Sequence, residues 1–396
     1  MSVHVAQIDY GLDERFTDPE ALLDCYSTLT GWSEAVARAG ADRVTVVHRF
    51  RRNATITRNG IDYIFCGHER EVRARRWTGP GSLHRALTRA QPDVVHVNGL
   101  DFPVETWLLR RTLRADAAIV AQDHSNGVPQ LHRASPGATL RHAVWRRCMR
   151  VPDGFLFSVA EQANAWQQIG FIARHQTVYQ VMETSTAMRP MPRPAARLAS
   201  GVDGLPSVLW VGRLNANKDP LTILHGFERS LAWLPGATLT MIYSADDLLP
   251  AVRDRLRDSP TLQRRVRLVG RVPPHVMPAF YSAADLFVLG SHHEGSGFSL
   301  IEACACGAIP VVTNIPPFRA ITAEGSLGAL WNAGDAAGFA RALVEAGQRD
   351  LVAHRARIQE YFDQALSWAV VGRQALDAYR DSLARRRAAQ GGRGAR

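Results

Sequence analysis

The strongest constraint on this chain is an alternation that runs to a break and then starts again. Residues 3–8, 43–47, 62–65, 93–97, 117–121, 154–159 and 177–181 are short β-branched or aliphatic runs, each the length of one strand. Segments 32–39, 83–89 and 160–168 between them have helical spacing. Strands joined through helices run parallel and are covered on both faces. A stretch with Pro190, Pro192, Pro194 and Pro206 follows, a composition that suits a semi-rigid linker. The pattern then resumes, with strands at 207–211, 237–243, 266–268, 286–289 and 309–312 and helices at 220–230, 248–257, 277–283 and 299–306.

Single cores stop growing at roughly 250–300 residues. A 396-residue chain patterned in this way therefore predicts two α/β, Rossmann-like domains. The expected division is a first domain over 1–187, a linker over 188–206, a second domain over 207–364 and a long helix over 365–384. Residues 385–396 hold five Arg, three Gly and no acid, which predicts a disordered basic tail. In open parallel sheets ligands bind beyond the carboxyl ends of the strands, so the polar residues immediately after each strand are the candidates for chemistry.

Composition narrows the class. Hydrophobic residues at 46% and charged residues at 21% are ordinary for a globular chain. No apolar run reaches the ~20 residues that span a bilayer, and the first residues lack a basic segment followed by an apolar one, so a cytoplasmic location is expected. Five scattered cysteines do not make a disulfide framework. Cys304 and Cys306 are spaced as a C-x-C pair, but they lie in an apolar helical stretch with no second ligand pair, and read as buried hydrophobes. The net charge of +10 suits an anionic donor or an anionic membrane face. No motif supports a nucleic-acid partner. Lys218 is the only lysine in a chain that otherwise uses Arg. A position that stays Lys against that bias points to a need for a compact ammonium.

Two strand-end segments carry chemistry. The first is Val211-Gly212-Arg213-Leu214-Asn215-Ala216-Asn217-Lys218-Asp219-Pro220. It places two cations between a strand and a helix N-terminus, a combination suited to a diphosphate, although the G-x-x-x-x-G-K-[ST] spacing of a P-loop is missing. The second is Ser291-His292-His293-Glu294-Gly295-Ser296-Gly297-Phe298-Ser299-Leu300-Ile301-Glu302. Its glycines admit close backbone approach, and its two carboxylates suit sugar hydroxyls. Glu302 lies among apolar neighbours, where a carboxylate needs a partner. Adjacent His292 and His293 do not share the i, i+4 face of helical zinc ligands.

Taken together, the two segments resemble the retaining nucleotide-sugar glycosyltransferases of family 4, also called glycosyl transferases group 1. The likeness rests on G-R-L-x-x-x-K at 212–218, E-G-x-G-F-x-x-x-E at 294–302 and the Cys306-Gly307-Ala308-Ile309-Pro310-Val311-Val312 run. It is strong over 207–320 and softer before. The resemblance implies the GT-B fold, two Rossmann-like domains facing each other across a cleft, with the 365–384 helix returning to the first. It implies that Arg213 and Lys218 bind the donor diphosphate, Glu294 the transferring sugar and Glu302 the ribose. Gly212, Gly295 and the backbone N–H groups of Gly297, Phe298 and Ser299 line the sugar and phosphate, Arg271 and Val272 lie against the base, and His124 stands near the sugar. Arg213, Lys218, Glu294 and His124 are thus the catalytic candidates. Neither metal nor cofactor is implied.

The sequence departs from the family in two places. A Gly-Gly pair after the first strand is replaced by single Gly11 and Gly31, and a Pro-Asn-Gly stretch by Val181-Met182-Glu183-Thr184-Ser185-Thr186. The expected reaction is hexosyl transfer from a nucleotide diphosphate sugar to a hydroxyl of a glycan, lipid-linked or small-molecule acceptor, with retention. The alternatives are a nucleotide-sugar epimerase, a phosphorylase carrying pyridoxal phosphate on Lys218, and a non-catalytic nucleotide- or glycan-binding protein. Arg-rich segments with Trp at 70–77 and 141–150 are candidates for peripheral contact with anionic membrane.

Overall fold

The computed structural model describes residues 2–67, 81–124 and 136–394. The chain forms two compact units, Met1–Thr184 with Trp368–Arg396, and Ser185–Ser367. Residues 70–77 lie outside the described residues.

The first unit is built on eight strands: β1 (His4–Asp9), β2 (Arg43–Arg49), β3 (Ala54–Arg58), β4 (Ile61–Cys66), β5 (Val94–Asn98), β6 (Ala118–Gln122), β7 (Gly154–Phe157) and β8 (Thr177–Gln180). Their order is β3-β4-β2-β1-β5-β6-β7-β8. Every neighbouring pair is parallel except β3 with β4. The β3–β4 hairpin is absent from the sequence expectation. Asn59 (φ 53°) and Gly60 (φ 76°) both take the left-handed region, the two-residue turn that matches strand twist. β3 alternates half-buried and exposed residues, so no apolar run marks it.

The last helix, Trp368–Gly394, packs on the helix Ser27–Arg38 and completes this unit. Two glycines set the approach. A Cβ on Gly372 would lie 2.3 Å from the Ala35 carbonyl oxygen, and one on Gly31 would lie 2.6 Å from the Trp368 ring. Gly31 therefore serves helix packing. Between the helices and the sheet, Trp32 Nε1 donates to the Tyr379 hydroxyl at 3.0 Å, and that hydroxyl is hydrogen-bonded to His96 Nδ1 at 2.6 Å.

The segment expected to be a disordered tail is helical to Gly394. Arg387 pairs with Asp93 at 2.9 Å, and Arg386 reaches Asp153 at 3.6 Å and donates to the Ala115 carbonyl at 2.8 Å. Asp93 and Asp153 stand just before β5 and β7. Arg386 and Arg387 of this segment are thus tied to acids at the amino-terminal edge of the sheet. The helix Pro136–Cys148, which contains the other Arg-rich candidate, exposes Leu140 and Val144 between Arg141, Arg146 and Arg147.

The second unit has six parallel strands: β9 (Ser207–Gly212), β10 (Thr238–Tyr243), β11 (Val266–Gly270), β12 (Leu286–Leu289), β13 (Ile309–Thr313) and β14 (Ala329–Trp331). Their order is β11-β10-β9-β12-β13-β14. The stretch 188–206, expected as a linker, belongs to this unit and contains the helix Arg193–Ser200, packed on the helix Met277–Ala283. Pro194 sits in the first turn of that helix, where its missing N–H costs nothing.

Asp285 fixes the helix to the sheet. Its carboxylate is fully buried and pairs with Arg193, with Arg197 at 3.6 Å. It also accepts from Ser207 N and Ser207 Oγ, both at 2.9 Å. Removing one partner of a buried ion pair leaves uncompensated charge. Asp285→Ala is expected to lower the stability of this unit by about 3–5 kcal/mol, with Asp285→Asn costing less. Hydrogen exchange of the β9 and β12 amides measures it, and unchanged protection in Asp285→Ala would disprove the anchoring role.

Candidate functional site

In the second sheet the chain runs outward through β9, β10 and β11, then crosses to β12 on the other side of β9. The strand order therefore reverses between β9 and β12, where ligands bind in open parallel sheets. The two chemistry-bearing segments follow these two strands.

Asn217 joins the two loops. Its Nδ2 donates to the His293 carbonyl at 3.0 Å, its Oδ1 accepts from His293 N at 3.0 Å, and its own carbonyl accepts from His292 N at 2.9 Å. Asn215 caps the short turn Ala216–Lys218 by accepting from Lys218 N at 3.1 Å. Asp219 takes a left-handed conformation (φ 43°), which Asp tolerates better than most residues. Its carboxylate accepts from Thr222 N and faces His292 Nε2, both at 3.2 Å. This scaffold brings Lys218 Nζ onto Glu294 Oε1, with both side chains almost wholly shielded from solvent.

Arg213 follows Gly212 at the end of β9. It is exposed, and its guanidinium has no partner among the described residues. Gly297 (φ 75°) closes the second loop, and a Cβ there would meet the Phe318 ring at 2.6 Å. No side chain caps the helix Phe298–Ala305 that follows, so the first-turn N–H groups of Phe298 and Ser299 have no intrahelical acceptor. Phe298 itself is 39% exposed. Gly295 lies between Glu294 and this turn. Arg271, exposed, and Val272, half-buried, follow β11 on the same carboxyl edge.

Glu302 has the partner that its apolar neighbours required, since the Tyr281 hydroxyl donates to its Oε2 at 2.8 Å. Burial pushes this carboxyl up from 4.5 to about 7, with the Tyr281 bond working against the shift. Cys304 and Cys306 are buried free thiols, raised by burial to about 12 and about 11. Among the described residues no group of three or more His, Cys, Asp or Glu could hold a metal ion.

The first sheet has its own reversal, between β1 and β5. A cavity of about 560 Å³ opens there, lined among others by Asp9, His48, Asn98, Asp101, Phe102 and His124. His124 follows β6. Its Nδ1 lies 2.9 Å from Glu183 Oε2 and its Nε2 lies 2.9 Å from Asn98 Oδ1.

Within the second unit, then, the predicted residues Gly212, Arg213, Lys218, Arg271, Val272, Glu294, Gly295, Gly297, Phe298, Ser299 and Glu302 all follow the carboxyl ends of β9, β11 and β12. Lys218 and Glu294 touch directly, whereas Arg213 and Arg271 stand free of them. His124 belongs to the first unit. Sequence reasoning missed Asn215, Asn217, Tyr281 and Glu183. Only Asn215 carried a local signal, as a capping residue three positions before the residue whose N–H it accepts.

The chain was compared with known proteins. The family described as glycosyl transferases group 1 matches residues 205–349. The GDP-mannose:cellobiosyl-diphosphopolyprenol alpha-mannosyltransferase of Xanthomonas oryzae pv. oryzae is 24% identical over 310 residues, 74% of this chain and 74% of that protein. A D-inositol 3-phosphate glycosyltransferase of Corynebacterium urealyticum is 29% identical over 194 residues, 47% of this chain and 45% of that protein. Two solved structures share the fold. Sucrose-phosphate synthase from Thermosynechococcus elongatus has a TM-score of 0.68 at 20% identity, over 97% of this chain and 100% of that one. Anabaena HepE in complex with UDP and glucose has a TM-score of 0.67 at 15% identity, over 96% of this chain and 100% of that one.

The raised Glu302 proton affinity has a consequence for stability. The folded state holds this proton more tightly than the unfolded chain, so the contribution is complete below pH 4.5 and is lost as pH rises through about 7. Glu302→Gln, which does not titrate, is expected to gain about 1–2 kcal/mol on the wild type between those limits, after solvent screening. Urea unfolding of both proteins across that range measures the difference, and parallel pH curves would refute the buried-carboxyl account.

Proposed function

We propose, from the match of residues 205–349 to the glycosyl transferases group 1 family, that the chain moves a hexose from a nucleotide diphosphate sugar to an acceptor hydroxyl with retention of anomeric configuration. The observation that carries this reading is the Lys218–Glu294 pair, shielded from solvent at the β9/β12 reversal. The ammonium and the carboxylate that here satisfy each other become, with donor bound, one contact to phosphate and one to sugar hydroxyls. Arg213, without a partner among the described residues, supplies the second cation. Glu302, once ionised, accepts from the ribose hydroxyls. The open N–H groups of Phe298 and Ser299, with the Gly295 and Gly297 backbone, receive sugar and phosphate oxygens. Arg271 and Val272 bear on the base.

During transfer the anomeric carbon–oxygen bond breaks and its electron pair leaves on the diphosphate. The acceptor oxygen bonds to the anomeric carbon, and its proton passes to an oxygen of the departing diphosphate. The two cations stabilise the growing negative charge, a role that otherwise falls to a metal ion, so the reading includes neither metal nor cofactor. The acceptor occupies the first unit's cavity beside His124. The mannosyltransferase relative, by its name, acts on a polyprenol-linked glycan, which favours a glycan or lipid-linked acceptor over a small free one.

A thermal-shift screen of nucleoside diphosphates finds the base. The matching one at 100 times its Kd is expected to stabilise the protein by about 2.7 kcal/mol. With the donor identified in this way, Lys218→Ala is expected to lower the transfer rate by about 10³-fold, and Lys218→Arg to leave it low. Near-normal transfer by Lys218→Ala removes Lys218 from the mechanism. Release of altered free sugar without acceptor replaces transfer with epimerisation.

A further inference from the structure

Glu183 enters the sequence only as part of a departure from the family pattern, yet the fold gives it a specific task. It follows β8, and its backbone N–H donates to Ser158 Oγ at 3.3 Å beyond the end of β7. The anchored carboxylate is 13% exposed, and its Oε2 lies 2.9 Å from His124 Nδ1. On the opposite side of the ring, His124 Nε2 lies 2.9 Å from Asn98 Oδ1. Asn98 presents its oxygen to Nε2 and Glu183 its carboxylate to Nδ1, an arrangement in which both ring nitrogens donate, as they do in an imidazolium.

The two sides of the ring are not equivalent. Asn98 and His124 line the cavity at the β1/β5 reversal, whereas Glu183 is not among its lining residues. Nδ1–H is thus turned to a fixed carboxylate, and Nε2–H to a side-chain amide on the cavity wall. An amide held by one hydrogen bond is a replaceable partner.

We propose that Glu183 is a positioning residue: it holds His124 doubly protonated, so that Nε2–H switches from Asn98 to an oxygen of the acceptor seated in the cavity. The inference rests on the transferase reading and assigns the acceptor side an oxygen that accepts this bond near the reacting hydroxyl. The charges around the ring agree with it. Burial disfavours the imidazolium, but the Glu183 hydrogen bond and the charges of Glu183, Asp9 at the end of β1 and Asp123 after β6 outweigh it, and His124 holds its proton above the usual 6.5. His96 on β5 adds no opposing charge, because burial brings it down to about 3. His48 on β2 faces Asp9 at 3.7 Å, and Asp101 lies across the cavity.

The first test uses the full-length protein labelled with ¹⁵N-histidine, and needs no substrate. The His124 ring signals are identified by their loss in His124→Gln. Both ring nitrogens should be protonated at pH 7 and should titrate above 6.5. Glu183→Gln keeps the shape and removes the charge, and should move that titration down by about one pH unit or more. A neutral His124 at pH 7, or an unmoved titration in Glu183→Gln, overturns the proposal. If Glu183→Gln does not fold, the wild-type titration decides alone.

The second test is kinetic. Since the protonated ring is the working form, kcat/KM for the acceptor should fall as pH rises through the His124 titration. Glu183→Gln should shift that alkaline limb to lower pH, and Glu183→Asp should restore it in part. A profile lowered evenly at all pH values would mean a merely structural role and would overturn the proposal. Thermal shift with the matching nucleoside diphosphate should be unchanged in Glu183→Gln, because the donor residues lie in the other unit. If the wild type transfers from no nucleotide sugar, the transferase reading fails, and the ring titration still decides the Glu183–His124 pairing.

Discussion

The site at the β9/β12 reversal depends on a carboxylate at the opposite edge of the sheet. Asp285, at the entry of β12, accepts from both the backbone and the side chain of Ser207, the first residue of β9. These are the two strands between which the order reverses. Pinning them together at the amino-terminal edge fixes their register, with Leu286 opposite Val208. A parallel register set at one edge is carried to the other, where the loops bearing Lys218 and Glu294 leave the sheet. A slip of one residue would turn each strand's side chains to the opposite face and separate the two loops that Asn217 joins. The arginines that neutralise Asp285 come from the stretch that composition reads as a linker. That stretch is part of the second unit's foundation.

The site holds charges in two different ways. Lys218 and Glu294 satisfy one another, so neither is left uncompensated in a shielded place. Glu302 has a neutral hydroxyl as its partner, which supports the carboxylate less than a cation would, and its proton affinity rises accordingly. Two acidic residues eight positions apart thus have different partners, an ammonium for Glu294 and a phenol for Glu302.

Much of this was legible in the sequence. Strand runs of four to six aliphatic residues gave the two parallel sheets almost strand for strand, because strands buried on both faces must be continuously apolar. The two strand-end segments stood out because cations, glycines and carboxylates followed such runs directly. What stayed hidden depended on distance along the chain. β3 is half-exposed and lacks an apolar run, although Asn59-Gly60 marked its turn. Glu183 meets His124 across 59 residues, and Tyr281 meets Glu302 across 21. No local pattern announces such pairs. Arg387 gave no sign of its partner because Asp93, the acid that holds it, lies 294 residues earlier, at a strand entry.

The first unit is discontinuous, and this bears on the order in which the protein can assemble. The ribosome releases the Trp368–Gly394 helix only after the whole second unit, Ser185–Ser367, has emerged. Until then nothing fills the groove over Ala35 that Gly372 makes shallow enough to enter, and Trp32 and His96 lack the hydroxyl that joins them. The half of the molecule translated first is therefore the half finished last. The continuous second unit has all its strands in hand earlier, and the nascent first unit waits with an apolar seam uncovered.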